Sequence, residues 1–246
     1  MERLISYRSY LSPLERAHVD SIVPIATQFA FEEANNHIYR WKGGIEFEIA
    51  YPEVEETDHD HILGCLELVT IYQQYFPHIL QDCSINDLKV MLVIHDSDEI
   101  MVQRDIPMLH PILETKEGAK IKRVGRLLAV NKLFSRYVCA DKHAYVTDLY
   151  QRFLDQKPND KEALIARYID KAQGNHFGAE YVFPYQPLGL STPGAERKHH
   201  VSKSLEKILI PAIPLFSLLK YPGRKELDAL VTHDIDRFID IVTTVL

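Results

Sequence analysis

The sequence predicts an all-α fold, a helical bundle followed by a C-terminal helical extension. Most of the chain divides into stretches whose apolar residues recur at helical spacing. Candidate N-caps precede such stretches, for example Ser84 or Asn86, and Pro77 follows one of them. One run, 45–49, alternates apolar and acidic residues and predicts a short strand, a hairpin arm or an extended loop. Helices therefore dominate the expected structure.

The predicted helices follow one another closely along the chain. The first covers about 13–33, as one helix or as a pair broken at Pro24. Pro and Gly punctuate residues 184–200, ahead of two terminal helices. We therefore expect two domains, residues 1–183 and 184–246. The other helices are expected at 60–76, 86–102, 116–136, 141–154, from 160 through Asp170, at 202–220 and at 225–245.

The composition limits the classes of function. With 246 residues, 46% of them hydrophobic, the chain is long enough for one large domain or one domain with an appendage. A net charge of -7 argues against a general nucleic-acid coat, because phosphate backbones select basic surfaces. No leader-like apolar segment opens the chain, and no apolar run of about 18 residues occurs. Three cysteines without CxxC spacing fit a reducing compartment. We expect a cytoplasmic protein that binds neither membranes nor nucleic acid.

Four residues are the candidates for a metal site: His59, His95, Asp96 and Asp170. His95 and Asp96 end the apolar run 90–94, where imidazole and carboxylate are costly unless a cation neutralises them. Two imidazoles and two carboxylates balance a divalent ion and leave positions for water and a phosphoryl oxygen. This donor set favours Mn²⁺, Co²⁺, Fe²⁺ or Mg²⁺ over structural zinc. The expected cofactor is therefore one divalent metal ion.

The His-Asp dipeptide alone is weak support for such a site. It occurs three times, at residues 59–60, 95–96 and 233–234. We interpret His233-Asp234 as a solvated helix surface, since charged residues follow it closely. Asp170 has a comparable alternative, a helix-surface acid paired with Lys171. The basic stretch 120–136 is interpreted as a solvated helix face, with attraction of an anionic substrate as the alternative.

Three segments, in their order along the chain, resemble the HD-domain metal phosphohydrolases. The closer likeness is to the branch of the bacterial 5'-deoxynucleotidases and their eukaryotic relatives, and it spans about residues 30–182. Upstream, Arg40-Trp41 matches an Arg-Trp pair of the bacterial enzymes. The chain departs from the family at Gln103-Arg104-Asp105, which lacks a glycine and places the acid one position later. The three segments are Glu55-Glu56-Thr57-Asp58-His59, His95-Asp96-Ser97-Asp98-Glu99 and Ile169-Asp170-Lys171.

The resemblance also bears on the first ligand and on the catalytic acids. His59 is preferred to its competitor His61, because Gly64 then takes the small-residue position five after the family's histidine. Glu99 follows His95-Asp96 at one turn, so on a continuing helix all three share a face. We expect Glu99 to orient the attacking water or to protonate the leaving oxygen, with Asp105 as a second catalytic acid.

The Arg-Trp pair is expected to bind the substrate. Arg40 offers a planar fork of donors that suits a phosphate dianion, against the alternative of a surface salt bridge to Glu46 or Glu48. Trp41 would stack on the base or sugar, or fill the core.

The resemblance implies a metal-dependent phosphohydrolase acting on nucleoside or deoxynucleoside 5'-monophosphates. Hydrolysis of a nucleoside triphosphate, an alarmone-type nucleotide or a cyclic nucleotide is one alternative. A catalytically weak HD domain that senses nucleotides is another. The apolar terminal helices either cover the core of their own chain or form a homodimer interface.

Overall fold

The computed structural model describes residue 40 and residues 56–102, 115–138, 140–177, 193–220 and 222–245. Helices make up most of these residues, and no strand occurs among them. The prediction of an all-α fold is therefore confirmed. Several predictions lie outside the described residues, namely those for 13–33, 45–49, Trp41, Asp105 and the boundary at 183–184.

The described helices are labelled in chain order. The helix Lys116–Leu128 continues through a π-helical segment, Ala129–Phe134, into Ser135–Tyr137. The labels are α1 (Asp58–Tyr75), α2 (Ile85–Ile94), α3 (Ser97–Val102), α4 (Lys116–Leu128), α5 (Ala140–Asp155), α6 (Lys161–Phe177), α7 (Pro193–Leu218) and α8 (Gly223–Val245).

Side-chain caps explain where α2 and α6 begin, among other helices. Ser84 Oγ accepts a hydrogen bond from the backbone N–H of Asp87 at 3.2 Å, at the start of α2. Asp160 Oδ1 accepts a hydrogen bond from the backbone N–H of Ala163 at 3.1 Å, at the start of α6. Each bond satisfies a backbone donor that the first turn of a helix leaves open. Of the two candidate caps in the sequence, Ser84 and Asn86, Ser84 is therefore the one that caps α2.

The helix predicted over 86–102 is interrupted at His95 and Asp96. These two residues form a turn between α2 and α3. The Ser97 hydroxyl donates to the carbonyl oxygen of Ile94 at 2.6 Å. In a continuous helix that carbonyl would accept from the backbone N–H four residues later. The expectation of one continuous helix is therefore wrong, and both side chains project from a turn.

The described residues form two compact units. The first unit takes its residues from 1–64 and 89–155, and the second from 65–88 and 156–246. In the first unit, α3 packs on α4, and the π-helical segment contacts α3 and α5. In the second unit, α6, α7 and α8 pack pairwise. The second unit includes residues on both sides of the predicted boundary at 183–184, and that boundary stays a prediction.

The apolar runs of the sequence form the cores. Every side chain of the run 90–94 is at most 4% exposed. In α7, Ile208, Ala212 and Leu215 are buried at the spacing of one helix face, although the helix contains Pro211 and Pro214. Among the described residues, no helix combines the length and the apolar character that crossing a lipid bilayer requires.

A buried carboxylate connects three helices of the second unit. Asp234 on α8 is 0% exposed, and its Oδ2 accepts from the Tyr72 hydroxyl at 2.8 Å and the Tyr168 hydroxyl at 2.7 Å. His176 Nε2 lies 3.6 Å from Oδ1. The expected solvated surface at residues 233–234 is therefore wrong for Asp234, because this residue lies on the inner face of α8. The side chain of His233 is half exposed.

Candidate metal centre

The described residues of the first unit include two groups that could hold a metal ion, and the first consists of His61, His95 and Asp96. Nδ1 of His95 lies 2.8 Å from the carbonyl oxygen of Leu92. Because a carbonyl oxygen only accepts, Nδ1 carries the proton, and a neutral ring then has its lone pair on Nε2. A hydrogen bond of this kind on the distal nitrogen is the usual support of a metal-binding histidine.

The three ligand atoms converge on one point. His95 Nε2 lies 2.9 Å from Asp96 Oδ2 and 3.2 Å from His61 Nε2, and the third separation, from His61 Nε2 to Asp96 Oδ2, is 3.9 Å. A triangle with these sides has a centre about 2.0 Å from each corner, which is the bond length of a divalent ion to imidazole or carboxylate. Two lone pairs this close repel each other unless a proton or a metal cation lies between them. The group therefore fits a metal ion in both distance and charge.

The start of α1 places His61 in this group. The Thr57 hydroxyl oxygen accepts from the backbone N–H of Asp60 at 3.2 Å, and Asp60 Oδ2 accepts from the backbone N–H of Thr57 at 3.1 Å. This reciprocal pair is a capping box, which fixes the first turn of the helix. With α1 beginning at Asp58, His61 shares a face with Asp58, while His59 projects about 200° away from His61.

A second group of ligand atoms shares Asp96 with the first. It consists of Asp58, Asp96 and Glu99, and its atoms lie within 4.8 Å of one another. Asp58 and Glu99 are 0% and 6% exposed. The backbone N–H of Glu99 donates to the carbonyl oxygen of Asp96 at 2.9 Å, so the first turn of α3 fixes the position of Glu99. Glu99 therefore lies beside the metal-capable group, although the helix expected to carry it there is broken.

Three cations surround these carboxylates. Arg40 Nη1 lies 3.2 Å from Asp96 Oδ2, and Arg40 Nε lies 3.5 Å from Glu56 Oε2. From α4, Lys122 Nζ lies 3.5 Å from Glu99 Oε1. Among the described residues, the ion pairs of this cluster join three cations (Arg40, Lys122 and Arg126) with five carboxylates (Glu56, Asp58, Asp96, Asp98 and Glu99). The acids outnumber the cations within these contacts, which suits an added cation.

Burial changes the titration of the groups behind Glu99. Burial is the main cause that raises the pKa of the Asp98 carboxyl, and Asp96 adds to it. Burial lowers the pKa of Lys122, but Glu99, Asp98 and Asp96 together raise it above its ordinary value. Lys122 is therefore a permanent positive charge at neutral pH, next to Glu99.

The structure brings some of the predicted site residues together and not others. His95, Asp96, Glu99 and Arg40 lie together in the first unit. His59 is 1% exposed but belongs to neither metal-capable group of the described residues. Arg40 contacts Glu56, Asp58 and Asp96, whereas the Glu46 and Glu48 of the alternative lie outside the described residues. Trp41 and Asp105 lie outside the described residues.

Asp170 belongs to the second unit. Its Oδ2 lies 2.8 Å from Arg167 Nη1 and 2.9 Å from Lys171 Nζ, both on its own helix α6. The residue is nevertheless 2% exposed, so it is not the surface acid of the alternative interpretation. The ligand roles of His59 and Asp170 stay predictions.

The sequence contained signals for three residues whose roles the prediction missed: His61, Lys122 and Arg126. The spacing Thr57-x-x-Asp60 is a capping box, and it sets the register that selects His61. Lys122 and Arg126 are one turn apart on an amphipathic helix, so they share a face. That face pairs with Glu99 and Asp98.

Comparisons of the chain with protein-family models, with curated proteins and with solved structures found no match. The likeness to HD-domain phosphohydrolases rests on the motifs quoted above, and it stays a prediction.

Proposed function

We propose that this chain is a metal-dependent phosphohydrolase whose divalent ion is bound by His61, His95 and Asp96. The observation that carries the proposal is the convergence of three ligand atoms on a point about 2.0 Å from each, a metal–ligand distance. The His95 tautomer set by Leu92 supports it. A site built for structure alone has four protein ligands, whereas three leave room for water and substrate.

The donor set indicates which ions to test. Two imidazoles and a carboxylate suit Mn²⁺, Co²⁺ or Fe²⁺, and Mg²⁺, which keeps several water ligands, is worth testing beside them. Such an ion would supply Lewis-acid activation of a phosphoryl oxygen and of water.

The residues around the ion would carry the other tasks of phosphate hydrolysis. Glu99, beside Asp96, is proposed to accept a proton from the attacking water, and Lys122 Nζ lies 3.5 Å from its Oε1. Arg40 is proposed to bind the substrate phosphate through its planar donors. Both residues lie next to the metal-capable group, which supports a common site.

The proposed substrates are nucleoside or deoxynucleoside 5'-monophosphates. Support comes from the motif likeness, above all from Arg40-Trp41 upstream of the first histidine. An arginine suits a terminal phosphate dianion, and an aromatic residue beside it in sequence suits a base or sugar.

A phosphate-release assay tests the proposal. The purified chain is assayed on nucleoside mono-, di- and triphosphates and cyclic nucleotides, with Mn²⁺, Co²⁺, Fe²⁺ and Mg²⁺ added separately. We expect release from monophosphates that depends on the metal and is lost in His95→Ala. His233→Ala, at a half-exposed histidine, is the matched control and should keep full activity. A chain that binds metal but hydrolyses no nucleotide would refute an enzyme and favour a nucleotide sensor.

A further inference from the structure

The Arg40 guanidinium lies against Asp96, the most exposed of the three residues His61, His95 and Asp96. Its Nη1 donates to Asp96 Oδ2 at 3.2 Å and lies 4.0 Å from Asp58 Oδ1. The side chains of Asp58 and Glu56 are 0% exposed, and that of Arg40 is 16% exposed. Arg40 therefore acts as the counter-ion of buried acids that water reaches poorly.

Arg40 and the metal-capable group use the same oxygen atom. Asp96 Oδ2 is the atom that lies 2.9 Å from His95 Nε2 and 3.2 Å from Arg40 Nη1. A divalent ion at the centre of the three ligand atoms would bind this oxygen. Two cations on one oxygen repel each other strongly where little water screens them. The ion would therefore weaken the contact between Arg40 and Asp96.

Arg40 has a second attachment that does not depend on Asp96. Its backbone N–H donates to the carbonyl oxygen of Glu56 at 3.0 Å, and its Nε lies 3.5 Å from Glu56 Oε2. These contacts hold the backbone and the inner end of the guanidinium. The outer nitrogens can turn away from Asp96 while Arg40 stays at the site.

We propose that Arg40 and a divalent metal ion compete for Asp96 Oδ2, so that metal binding turns the guanidinium outward to receive an anionic substrate. The substrate half of this proposal rests on the proposed function, whereas the competition rests on the contacts alone. Coupling of this kind is reciprocal. The free energy by which the metal weakens the Arg40–Asp96 contact equals the free energy by which this contact weakens metal binding. Metal and phosphate then each strengthen the binding of the other.

Calorimetric titration of the full-length, metal-free chain with Mn²⁺ alone tests the competition without any assay of activity. Arg40→Gln should bind Mn²⁺ about fivefold or more tightly than the wild type, the lower range of measured couplings between sites. Arg40→Lys keeps the positive charge and should bind Mn²⁺ close to the wild-type affinity. Arg126→Gln, which removes an arginine from Asp98 in the same unit, is the control for a general loss of positive charge.

Unchanged or weaker binding by Arg40→Gln overturns the proposal, and so does an equal gain in Arg126→Gln. A second measurement uses the wild-type chain, in case Arg40→Gln does not fold. The NMR resonance of the Arg40 side-chain N–H, assigned by its loss in Arg40→Lys, should shift when diamagnetic Zn²⁺ saturates the site. No shift at saturation also overturns the proposal. Failure of the proposed function looks different, because the wild type would then bind Mn²⁺ and release no phosphate.

Discussion

Asp96 is the residue at which the interactions of the candidate site meet. Its Oδ2 contacts His95, His61 and Arg40, and the residue belongs to both metal-capable groups. It lies in a turn rather than inside a helix, so its carboxylate is 18% exposed while the imidazoles are buried. Among the three ligand residues, Asp96 is therefore the one that water reaches.

Asp96→Ala should abolish metal binding and phosphatase activity together. It removes one of three ligands, and the metal-dependent rise in Tm should disappear with it, since that rise is the binding energy. Elemental analysis and thermal melts with and without Mn²⁺ measure both effects. Asp141→Ala, at an acid whose side chain is 73% exposed, is the matched control and should keep metal and activity. Full metal content in Asp96→Ala would contradict the site.

Glu99→Gln separates chemistry from metal binding. The substitution preserves shape and removes the titratable group, so turnover should fall by roughly 10²–10⁴, the usual contribution of a positioned proton-transfer group. Metal content should stay at the wild-type level, because the three primary ligands remain. Steady-state kinetics and elemental analysis measure the two quantities.

The control for this substitution is Glu117→Gln, at an exposed position of α4. Loss of metal in Glu99→Gln would identify Glu99 as a ligand of the second group, Asp58, Asp96 and Glu99. Normal turnover would exclude it from the chemistry.

At the scale of single residues, a site residue is predictable where its residue type is unusual for the sequence around it. His95-Asp96 was identifiable because a polar pair ends an apolar run, and the structure places both in the candidate centre. The choice between His59 and His61 was harder, because both are histidines at the start of α1 and both are buried, at 1% and 0% exposed. Burial does not distinguish two residues at the same helix end. The register does, and it depends on a hydrogen bond between side chain and backbone.

At the scale of elements, the first turn of α1 is the support of His61. Thr57 Oγ1 accepts the N–H of Asp60 and also donates to Asp60 Oδ2 at 2.9 Å. Thr57→Ala removes both bonds and should lower the free energy of unfolding by about 1 kcal/mol, the typical value of an N-cap. Urea denaturation followed by circular dichroism measures the change.

Thr70→Ala on the same helix is the matched control. Thr70 is exposed, and its hydroxyl donates to the carbonyl oxygen of Leu66 within the helix at 3.3 Å. Alanine favours a helix interior more than threonine, so this variant should be as stable as the wild type or slightly more stable. Equal losses in Thr57→Ala and Thr70→Ala would mean that the capping box contributes nothing.

Helix positions were predictable from apolar spacing, and helix interruptions were not. The run 90–94 and the caps at Ser84 and Asp160 fixed α2 and the start of α6. At the break after Ile94, the Ser97 hydroxyl donates to a carbonyl that a continuous helix would use. Serine also occurs inside helices, so its presence alone does not predict such a break.

At the scale of the whole molecule, the second unit is held together by a polar contact inside its core. Asp234 was expected on the surface because of its charged neighbours in sequence. The helical period gives a different result, since Leu227, Leu230, Val231 and Asp234 follow the spacing of one buried face. A charged neighbourhood describes the sequence around a residue, whereas burial depends on which face of the helix it occupies.

Tyr72→Phe and Tyr168→Phe should each lower the free energy of unfolding by about 1.5–3 kcal/mol, the value of a hydrogen bond to a charged group. Both hydroxyls donate to the same oxygen of Asp234, so the double variant should lose a different amount from the sum. Urea denaturation of the four proteins gives this coupling energy. Tyr75→Phe on α1, at a residue 63% exposed, is the control and should leave stability unchanged. Wild-type stability in Tyr168→Phe would show that the contact is dispensable.

The tryptophan next to Arg40 in the sequence offers an optical test of metal binding at the site. Trp41 follows Arg40 directly and is the only tryptophan of the 246 residues. The peptide bond links this single indole to the residue that contacts Asp96. Fluorescence excited selectively at tryptophan then comes from one position, without contributions from the remainder of the chain. We expect Mg²⁺, which does not quench emission itself, to change the spectrum of the wild type and to leave that of Asp96→Ala unchanged. An unchanged wild-type spectrum at saturating Mg²⁺ would contradict this expectation.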